Sequence, residues 1–296
     1  MGSRAFALLT LAASCVAPQE AAKPSLRGLH ACGGATAWAS GSGGSILRTV
    51  DGLTWQRISP PAEAKDLDFR DLEAEGDEVL LMAAGPGAAS GLWHSKDAGR
   101  HWEKWLDCPW PEGFFDSVAM EGKFGLLIGD PVESALMILR TEDGGRSWKH
   151  ERDAARAHFV PDEFAFAASG SSVTMRGELA WMATGGVGAA RVWRSEDRGK
   201  NWSVVDSPLY QGRESAGIFS ITFFDDRHGV IVGGDYLEQD ARARTAAWTE
   251  DGGRSWTLAE VQPGGYRSCA AALSDGGFVC TGPNGTDWSR DGGRTW

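Results

Sequence analysis

The stretch RTEDGGRSW, residues 140–148, is one copy of a pattern that recurs along the chain. Residues 95–102, 195–202, 249–256 and 289–296 repeat its form S/T-x-D-x-G-x-x-W, and TVDGLTW at 49–55 is a copy shorter by one residue. The tryptophans that close the copies lie 40 to 54 residues apart. Periods in this range indicate a repeat architecture.

The repeated residues suit a hairpin turn better than a catalytic site. A short Asp side chain can accept hydrogen bonds from the turn's own amides, and Gly permits a positive φ. The Trp can carry a large apolar face back between two sheets. Six carboxylates in equivalent turns would be spread around a rim and could not converge. We therefore predict structural roles for Asp51, Asp97, Asp143, Asp197, Asp251 and Asp291, and for Trp55, Trp102, Trp148, Trp202, Trp256 and Trp296.

Each period holds four β-like runs. The repeated S/T-x-D-x-G-x-x-W turn, called the corner below, falls between the third and the fourth run. The third period reads FFDSVAME, FGLLIGD, ALMILRTEDGG and RSWKHE, and the fourth reads EFAFAAS, LAWMATGG, ARVWRSED and NWSVVDS. This order predicts an all-β protein, a β-propeller of four-stranded antiparallel blades in a single domain over residues 25–296. Six units are visible, starting near residues 25, 66, 113, 163, 217 and 266.

The last unit lacks its fourth strand, which should begin at Trp296. We expect an incomplete last blade with an exposed strand edge. The sequence favours a fragment of a longer, seven-bladed propeller. The alternative is an N-terminal strand that completes the sheet, although Pro18 and Pro24 make a poor strand.

The N-terminus is typical of an export signal. Arg4 is followed by the short apolar run AFALLTLAA (5–13) and then by small residues, which predicts a signal peptide over residues 1–17 and a linker over 18–24. Cleavage after Ala17 and a lipoprotein signal with a lipid anchor at Cys15 both remain open. We expect a periplasmic or extracellular protein with no transmembrane segment.

Composition argues against several classes of partner. The chain carries 29 Lys+Arg against 40 Asp+Glu, a net charge of −11, which disfavours binding to nucleic acid phosphates. No Cys/His spacing indicates a metal, and no glycine-rich dinucleotide motif follows a strand. We therefore expect a monomer without metal or cofactor. Cys269 and Cys280 lie on neighbouring predicted strands, where either a disulfide or two buried thiols is conceivable.

The corners resemble Asp-box, or bacterial neuraminidase, repeats. With SLRGL, DFRDLEA, IGDP, AFAAS, IFSITF, GGDY and YRS at blade positions, residues 25–296 are most similar to bacterial relatives of the photosystem II assembly and stability factor propellers. That resemblance implies an arginine-lined surface that holds a protein client, which carries over to Arg27, Arg70 and Arg267.

Charged residues gather on the face opposite the corners. Arg27, Arg70, Asp71, Asp116 and Arg267 stand at the starts of first strands. Because first strands line a propeller's central channel, we expect these residues to meet near the axis. Arginine forks there suit a carboxylate or phosphate, so a small anionic ligand or a protein partner is expected. Ion pairs that only tie the blades together are the alternative.

A catalytic interpretation is also possible, because sialidases use three arginines, a Tyr nucleophile and an Asp acid/base. This chain lacks the Arg-Ile/Leu-Pro tripeptide of that family, and its candidate set reduces to Tyr236, Asp235 and Asp130, which follow second strands. We expect a non-enzymatic, exported protein-binding platform, with a sialidase-like or other glycosidase acting on an anionic sugar as the alternative.

Overall fold

A computed structural model describes residues 23–296. The predicted signal peptide, Cys15 and residues 18–22 of the predicted linker lie outside the described residues. Within residues 23–296, none of the helices has the length and apolar character needed to cross a bilayer.

Six β-sheets succeed one another along the chain and form a six-bladed β-propeller, which confirms the predicted fold class. In the first three sheets the strands lie side by side in chain order, each antiparallel to the next. Sheet one contains β1 (Leu26–Ala31), β2 (Ala37–Gly41), β3 (Ser45–Thr49) and β4 (Gln56–Ile58); sheet two contains β5 (Phe69–Glu75), β6 (Glu78–Ala83), β7 (Gly91–Ser95) and β8 (Glu103–Asp107); sheet three contains β9 (Phe115–Glu121), β10 (Phe124–Val132), β11 (Ala135–Thr141) and β12 (Lys149–His150).

The remaining sheets depart slightly from this scheme. Two short strands, β13 (Glu163–Phe164) and β16 (Gly185–Gly186), extend sheet five beyond its first strand. Sheet four contains β14 (Val173–Arg176), β15 (Leu179–Ala183), β17 (Arg191–Ser195) and β18 (Ser203–Asp206); sheet five contains β19 (Ala216–Phe223), β20 (Gly229–Asp235), β21 (Ala246–Thr249) and β22 (Thr257–Leu258); sheet six contains β23 (Cys269–Ala272), β24 (Phe278–Gly282) and β25 (Gly285–Ser289). Helical structure is confined to α1 (Arg152–Arg156) and to 3₁₀ turns at Ala62–Ala64 and Gly87–Ala89 within the described part of the chain.

One predicted strand is wrong. EFAFAAS, expected as the first strand of the fourth blade, forms only the two-residue β13, which pairs with β16. The innermost strand of sheet four is β14 instead. The stretch between them, residues 165–172, is called the hub segment below.

Apolar side chains fill the seams between successive sheets. Trp38 packs in the same buried cluster as Phe69 between sheets one and two, and Val230 in the same cluster as Phe278 between sheets five and six. Each corner tryptophan from the second onward packs in the seam between its own sheet and the preceding one: Trp102, Trp148, Trp202, Trp256 and Trp296. Trp55 is 41% exposed and lines an apolar cleft of about 780 Å³ between sheets six and one.

The corner at residues 141–148 shows why the repeated residues form a turn. Oδ1 of Asp143 accepts hydrogen bonds from the Ser147 amide at 2.9 Å and from the Thr141 hydroxyl at 2.8 Å. The Thr141 hydroxyl oxygen accepts a bond from the amide of Gly145, whose φ of 91° favours glycine. The Ser/Thr-to-Asp bond recurs in the five other corners.

The conceivable disulfide between Cys269 and Cys280 is not formed. Cys280 lies opposite Ala270, and Cys269 lies opposite Thr281. Because side chains alternate between the two faces of a strand, the two sulfur atoms point to opposite faces of sheet six. The four cysteines within residues 23–296 are free thiols.

Candidate functional site at the propeller hub

Four of the innermost strands carry a β-bulge near the end that faces away from the corners. At each bulge the register with the second strand shifts by one residue, so one residue has no partner across the pair. These bulged residues are Arg27 in β1, Arg70 in β5, Asp116 in β9 and Phe219 in β19. Bulges of this kind re-aim a side chain, and they often lie beside functional sites.

The hub segment lies among the innermost strands. Its Ser169 hydroxyl donates to the carbonyl of Ser268 at 2.7 Å, and the Ser171 hydroxyl bonds to that of Ser220 at 2.8 Å. Gly170 has φ of +66°, and a Cβ there would lie 2.1 Å from Oδ1 of Asp71. Small residues and one glycine therefore let this stretch pass between the sheets and fill the hub.

The hub segment also brings two of the predicted arginines together. Nη1 of Arg27 donates to the carbonyl of Ala168 at 3.4 Å, and Nη1 of Arg70 donates to the adjacent carbonyl of Ala167 at 3.2 Å. Arg70 also pairs with Asp68, with 2.8 Å between Nε and Oδ2. Within the described residues Arg27 makes no ion pair, its only other polar contact being Nε to the Ser25 hydroxyl at 3.2 Å. Its exposed guanidinium keeps an uncompensated positive charge.

Both arginines line a cavity of about 430 Å³ on the face opposite the corners, called the hub cavity here. The rest of its wall is Phe166, Ala167, Ala168, Phe219, Tyr236, Gln239, Tyr266, Ser268 and Pro283. No carboxylate belongs to this described lining. The cavity therefore combines two cationic groups with four aromatic side chains, called the aromatic wall below, and its size suits a side chain or small ligand.

The aromatic wall is built around Phe219. Its ring stacks on Phe166 with centroids 3.9 Å apart and meets Tyr266 edge to face at 4.8 Å. Tyr236 lies edge to face with Phe219 at 6.2 Å and is 43% exposed. Burial raises the pKa of the Tyr266 hydroxyl above its usual value. These rings give a rigid apolar surface that an aromatic or aliphatic group can contact.

Arg267, the third predicted arginine, does not line the hub cavity. It is only 2% exposed, and its Nε donates to Oδ2 of Asp287 at 2.7 Å. Its Nη1 donates to Oδ1 of Asn284 at 2.6 Å and to the carbonyl of Tyr266 at 2.9 Å. Arg267 therefore forms a buried ion pair within sheet six, whereas the alternative left open by the sequence was ion pairs that tie the blades to one another.

Asp71 is likewise buried in contacts between blades. Its carboxylate accepts a hydrogen bond from the Val118 amide at 2.7 Å, which ties sheet two to sheet three, and one from the adjacent Leu72 amide of its own strand at 2.8 Å. Burial raises the pKa of Asp71 well above its ordinary value, while these bonds oppose the shift. The side chain is not presented to a ligand.

Asp116 and Asp130 are two acidic residues that interact electrostatically, and Arg70 lies close enough to act on the charge of Asp116. Asp116 is buried, and its Oδ2 has no hydrogen-bond partner. Burial raises the pKa of Asp116 well above the usual range, and the nearby Asp130 raises it further. Burial also raises the pKa of Asp130, to about 6. Neither residue lines the hub cavity.

The candidate catalytic residues do not converge. Tyr236 lines the hub cavity, but the Asp235 carboxylate accepts the Leu237 amide at 2.9 Å and pairs with Nη1 of Arg213 at 3.1 Å. Burial would raise the pKa of Asp235, yet hydrogen bonds from Ser215, Leu237 and Arg213 lower it below the ordinary value. Residues 23–296 contain no group of three or more His, Cys, Asp or Glu side chains arranged to hold a metal ion.

Sequence reasoning did not find the aromatic wall or the hub segment. IFSITF places apolar residues at most positions of a strand, so nothing in it indicates that Phe219 occupies a bulge. Phe166 and the two alanines of the cavity wall belong to EFAFAAS, which has the composition of a strand. The serines and the glycine that end the segment, SGSS at 169–172, were the available signal for an irregular path.

Neither the protein-family models nor the curated proteins contain a match to this chain. Solved structures do match. One chain of a nidogen/laminin complex matches at TM-score 0.54 and 10% identity, over 82% of this chain and 83% of that chain. A GH74 xyloglucanase from Xanthomonas campestris matches at TM-score 0.50 and 14% identity, over 90% of this chain and 50% of that chain.

A structure of YCF48 bound to D1 peptide matches at TM-score 0.47 and 15% identity, over 90% of this chain and 93% of that chain. The matches at TM-scores of 0.50 and 0.54, with 14% and 10% identity, show the fold alone. The matched proteins belong to different classes, so the site of this chain is judged from its own residues.

Proposed function

We propose that this protein is a non-enzymatic binding platform whose hub cavity receives a segment of a partner protein that carries a carboxylate beside an aromatic or aliphatic side chain. One observation carries the proposal: Arg27 and Arg70 are held on consecutive carbonyls of the hub segment, directly beside the aromatic wall. Guanidinium groups bind carboxylates through charge-assisted hydrogen bonds, and the rings supply apolar contact.

Arg27 is the stronger candidate for the anchor of the anionic group. Arg70 already has the carboxylate of Asp68 as a partner, whereas Arg27 has none in the described chain. A ligand carboxylate at Arg27 therefore displaces mainly water. We infer that Arg70 raises the positive electrostatic potential of the hub cavity and fixes one side of its wall.

The composition of the cavity wall supports binding rather than hydrolysis. Glycoside hydrolysis ordinarily needs two carboxyl groups that flank the scissile bond. The hub cavity has no carboxylate in its described lining, and the Asp235 carboxylate is already hydrogen-bonded. We expect no release of fluorophore from a fluorogenic sialoside or from a panel of aryl glycosides. Hydrolysis that is lost in Tyr236→Phe would establish the glycosidase alternative instead.

A small probe can test the ligand chemistry. We expect 2-phenylethanesulfonate, which joins an anion to a ring, to bind more tightly than ethanesulfonate or 2-phenylethanol in calorimetric or NMR titrations. Arg27→Gln should abolish most of this gain. Arg57→Gln is a matched control, because Arg57 is exposed, lies on β4 and bonds only to the Ser45 hydroxyl. Equal binding by Arg27→Gln and the unmodified protein would contradict the proposal.

A peptide-display selection tests the protein-partner part. Enriched peptides should place a carboxylate within about three residues of an aromatic or aliphatic side chain, the reach of neighbouring side chains on an extended segment. 2-Phenylethanesulfonate should compete for them, and Arg27→Gln should fail to select them. A selection with no shared acidic feature would count against this ligand class.

We also infer that the corners are Asp-box repeats like those of the bacterial relatives of the photosystem II assembly factor. Their shared hydroxyl-to-carboxylate bond supports this assignment. We further propose that residues 1–17 direct export and that the mature protein is a monomer. Mass spectrometry of the secreted or membrane fraction would distinguish a chain cut after Ala17 from one lipidated at Cys15.

A further inference from the structure

The peptide unit of Ala167 lies between a buried acid and a cavity arginine. Nη1 of Arg70 donates to the Ala167 carbonyl at 3.2 Å, and both Arg70 and the Ala167 amide oppose the rise that burial causes in the pKa of Asp116. Asp116 and Arg70 both occupy β-bulges, which aim them toward the hub segment. A change of charge at Asp116 therefore acts on the backbone that positions Arg70.

Asp116 has one oxygen that lacks a partner. Its Oδ2 is buried and makes no hydrogen bond, and Asp130 follows Gly129, which pairs with Phe115 directly before the bulge. A buried oxygen without a donor is costly when the carboxyl is ionised. A proton held between Asp116 and Asp130 would supply the missing hydrogen bond.

We propose that the Asp116–Asp130 pair couples the binding of an anion in the hub cavity to the uptake of one proton by the pair. The proposal rests on the proposed function, because it specifies how that same cavity is regulated. When the pair loses a proton as the pH rises, it gains one negative charge next to Arg70. This charge lowers the positive potential of the cavity and weakens its hold on an anion.

The charges around the pair are consistent with this role. On β5 and its approach, Arg70 opposes the rise in the pKa of Asp116 and pairs with Asp68, while the buried Asp71 accepts a bond from the Val118 amide of β9. The hub segment contains no titratable side chain. β13, which packs near β10, holds Glu163 in an ion pair with Arg191. Burial raises the pKa of Asp130 to about 6, so the pair gains a negative charge as the pH rises through about 6.

Binding of 2-phenylethanesulfonate at different pH values tests the coupling, because the sulfonate stays ionised throughout. No histidine belongs to the described lining of the hub cavity. We expect the dissociation constant to rise about three- to tenfold between about pH 5 and about pH 8. Calorimetry in buffers of different ionisation enthalpy should show proton uptake on binding above about pH 6, as linkage requires.

Asp130→Asn should bind the probe with little dependence on pH and without proton uptake. Asp226→Asn, which alters an exposed carboxyl paired with Arg176, should keep the dependence of the unmodified protein. Binding that is equal at both pH values in the unmodified protein overturns this proposal and leaves the proposed function intact. Absence of binding at every pH overturns both the coupling and the proposed function. Because these measurements use the unmodified protein, they do not depend on whether the variant folds.

Discussion

At the corners, Asp143 lies at the surface and accepts hydrogen bonds from the hydroxyl and amide of Ser147 and from the Thr141 hydroxyl, which lower its pKa to about 2. Asp51 behaves in the same way, since the amides of Thr54 and Leu53 lower its pKa to about 2. At the hub, burial raises the pKa of Asp130 to about 6 and raises that of Asp116 well above its usual value.

The difference shows how one residue type serves two purposes. A corner aspartate is surrounded by donors that its own turn supplies, so its charge stabilises the fold. A hub aspartate is deprived of water and faces another carboxyl, so its charge is costly. A carboxyl whose pKa is raised by burial and by a neighbouring charge, as at Asp116, indicates a candidate functional site, so the hub rather than the corners is the candidate.

The hub should be less tolerant than the turns to a single added methyl group. Gly170→Ala places a Cβ 2.1 Å from Oδ1 of Asp71 at a φ of +66°, and we expect a loss of about 3 kcal/mol or more in the free energy of unfolding. Denaturant unfolding measures this loss. Gly177→Ala is the matched control, with a φ of +62° and no atom within 4 Å, and should cost about 1 kcal/mol. Equal losses would mean that the hub segment is not packed as described.

The hub carboxyls should make the protein less stable as the pH rises from about 4 to about 6. The pKa of Asp130 is higher in the folded than in the unfolded chain, so the unfolded chain releases its proton first. The stabilisation that Asp130 contributes below about pH 4 is therefore lost as the pH rises through about 6. For a shift of this size the loss is about 2 to 3 kcal/mol. Asp130→Asn should remove this slope in denaturant unfolding at a series of pH values. A variant that keeps the full slope would exclude Asp130 as its source.

A corner carboxylate should have a smaller effect with the opposite dependence on pH. Asp251→Ala removes the bonds from the Ser255 amide at 3.0 Å and the Arg254 amide at 2.9 Å, and we expect a loss of about 1 to 2 kcal/mol at neutral pH. The deficit should shrink below about pH 4, because the unfolded chain then binds a proton that the folded Asp251, with its lowered pKa, takes up only at lower pH. Asp226→Ala, which breaks only an exposed ion pair, should change stability by less than about 0.5 kcal/mol.

The corners could be predicted from sequence because every interaction in them is local. The Ser/Thr, Asp and Gly of a corner lie within five residues, as in Thr141, Asp143 and Gly145. The strand runs on either side were visible for the same reason. The predicted fold class followed from their repetition and is confirmed.

The hub could be predicted only in part, because its residues meet from distant parts of the chain. The positions of Arg27 and Arg70 at first-strand starts placed both on the correct face. Arg267 occupies a similar place in the sequence, yet Asp287 holds it inside sheet six through a bond between residues 20 apart. The path of the hub segment depends on contacts with Ser268 and Ser220, which no local pattern encodes.

The contrast between the two sets of aspartates can be measured directly by NMR titration of the carboxyl carbons in protein labelled with carbon-13 at aspartate. We expect Asp143 to titrate at about 2 and Asp130 at about 6. If both instead titrate near the ordinary value of about 4, burial does not raise the pKa of Asp130 and the distinction between corners and hub is lost.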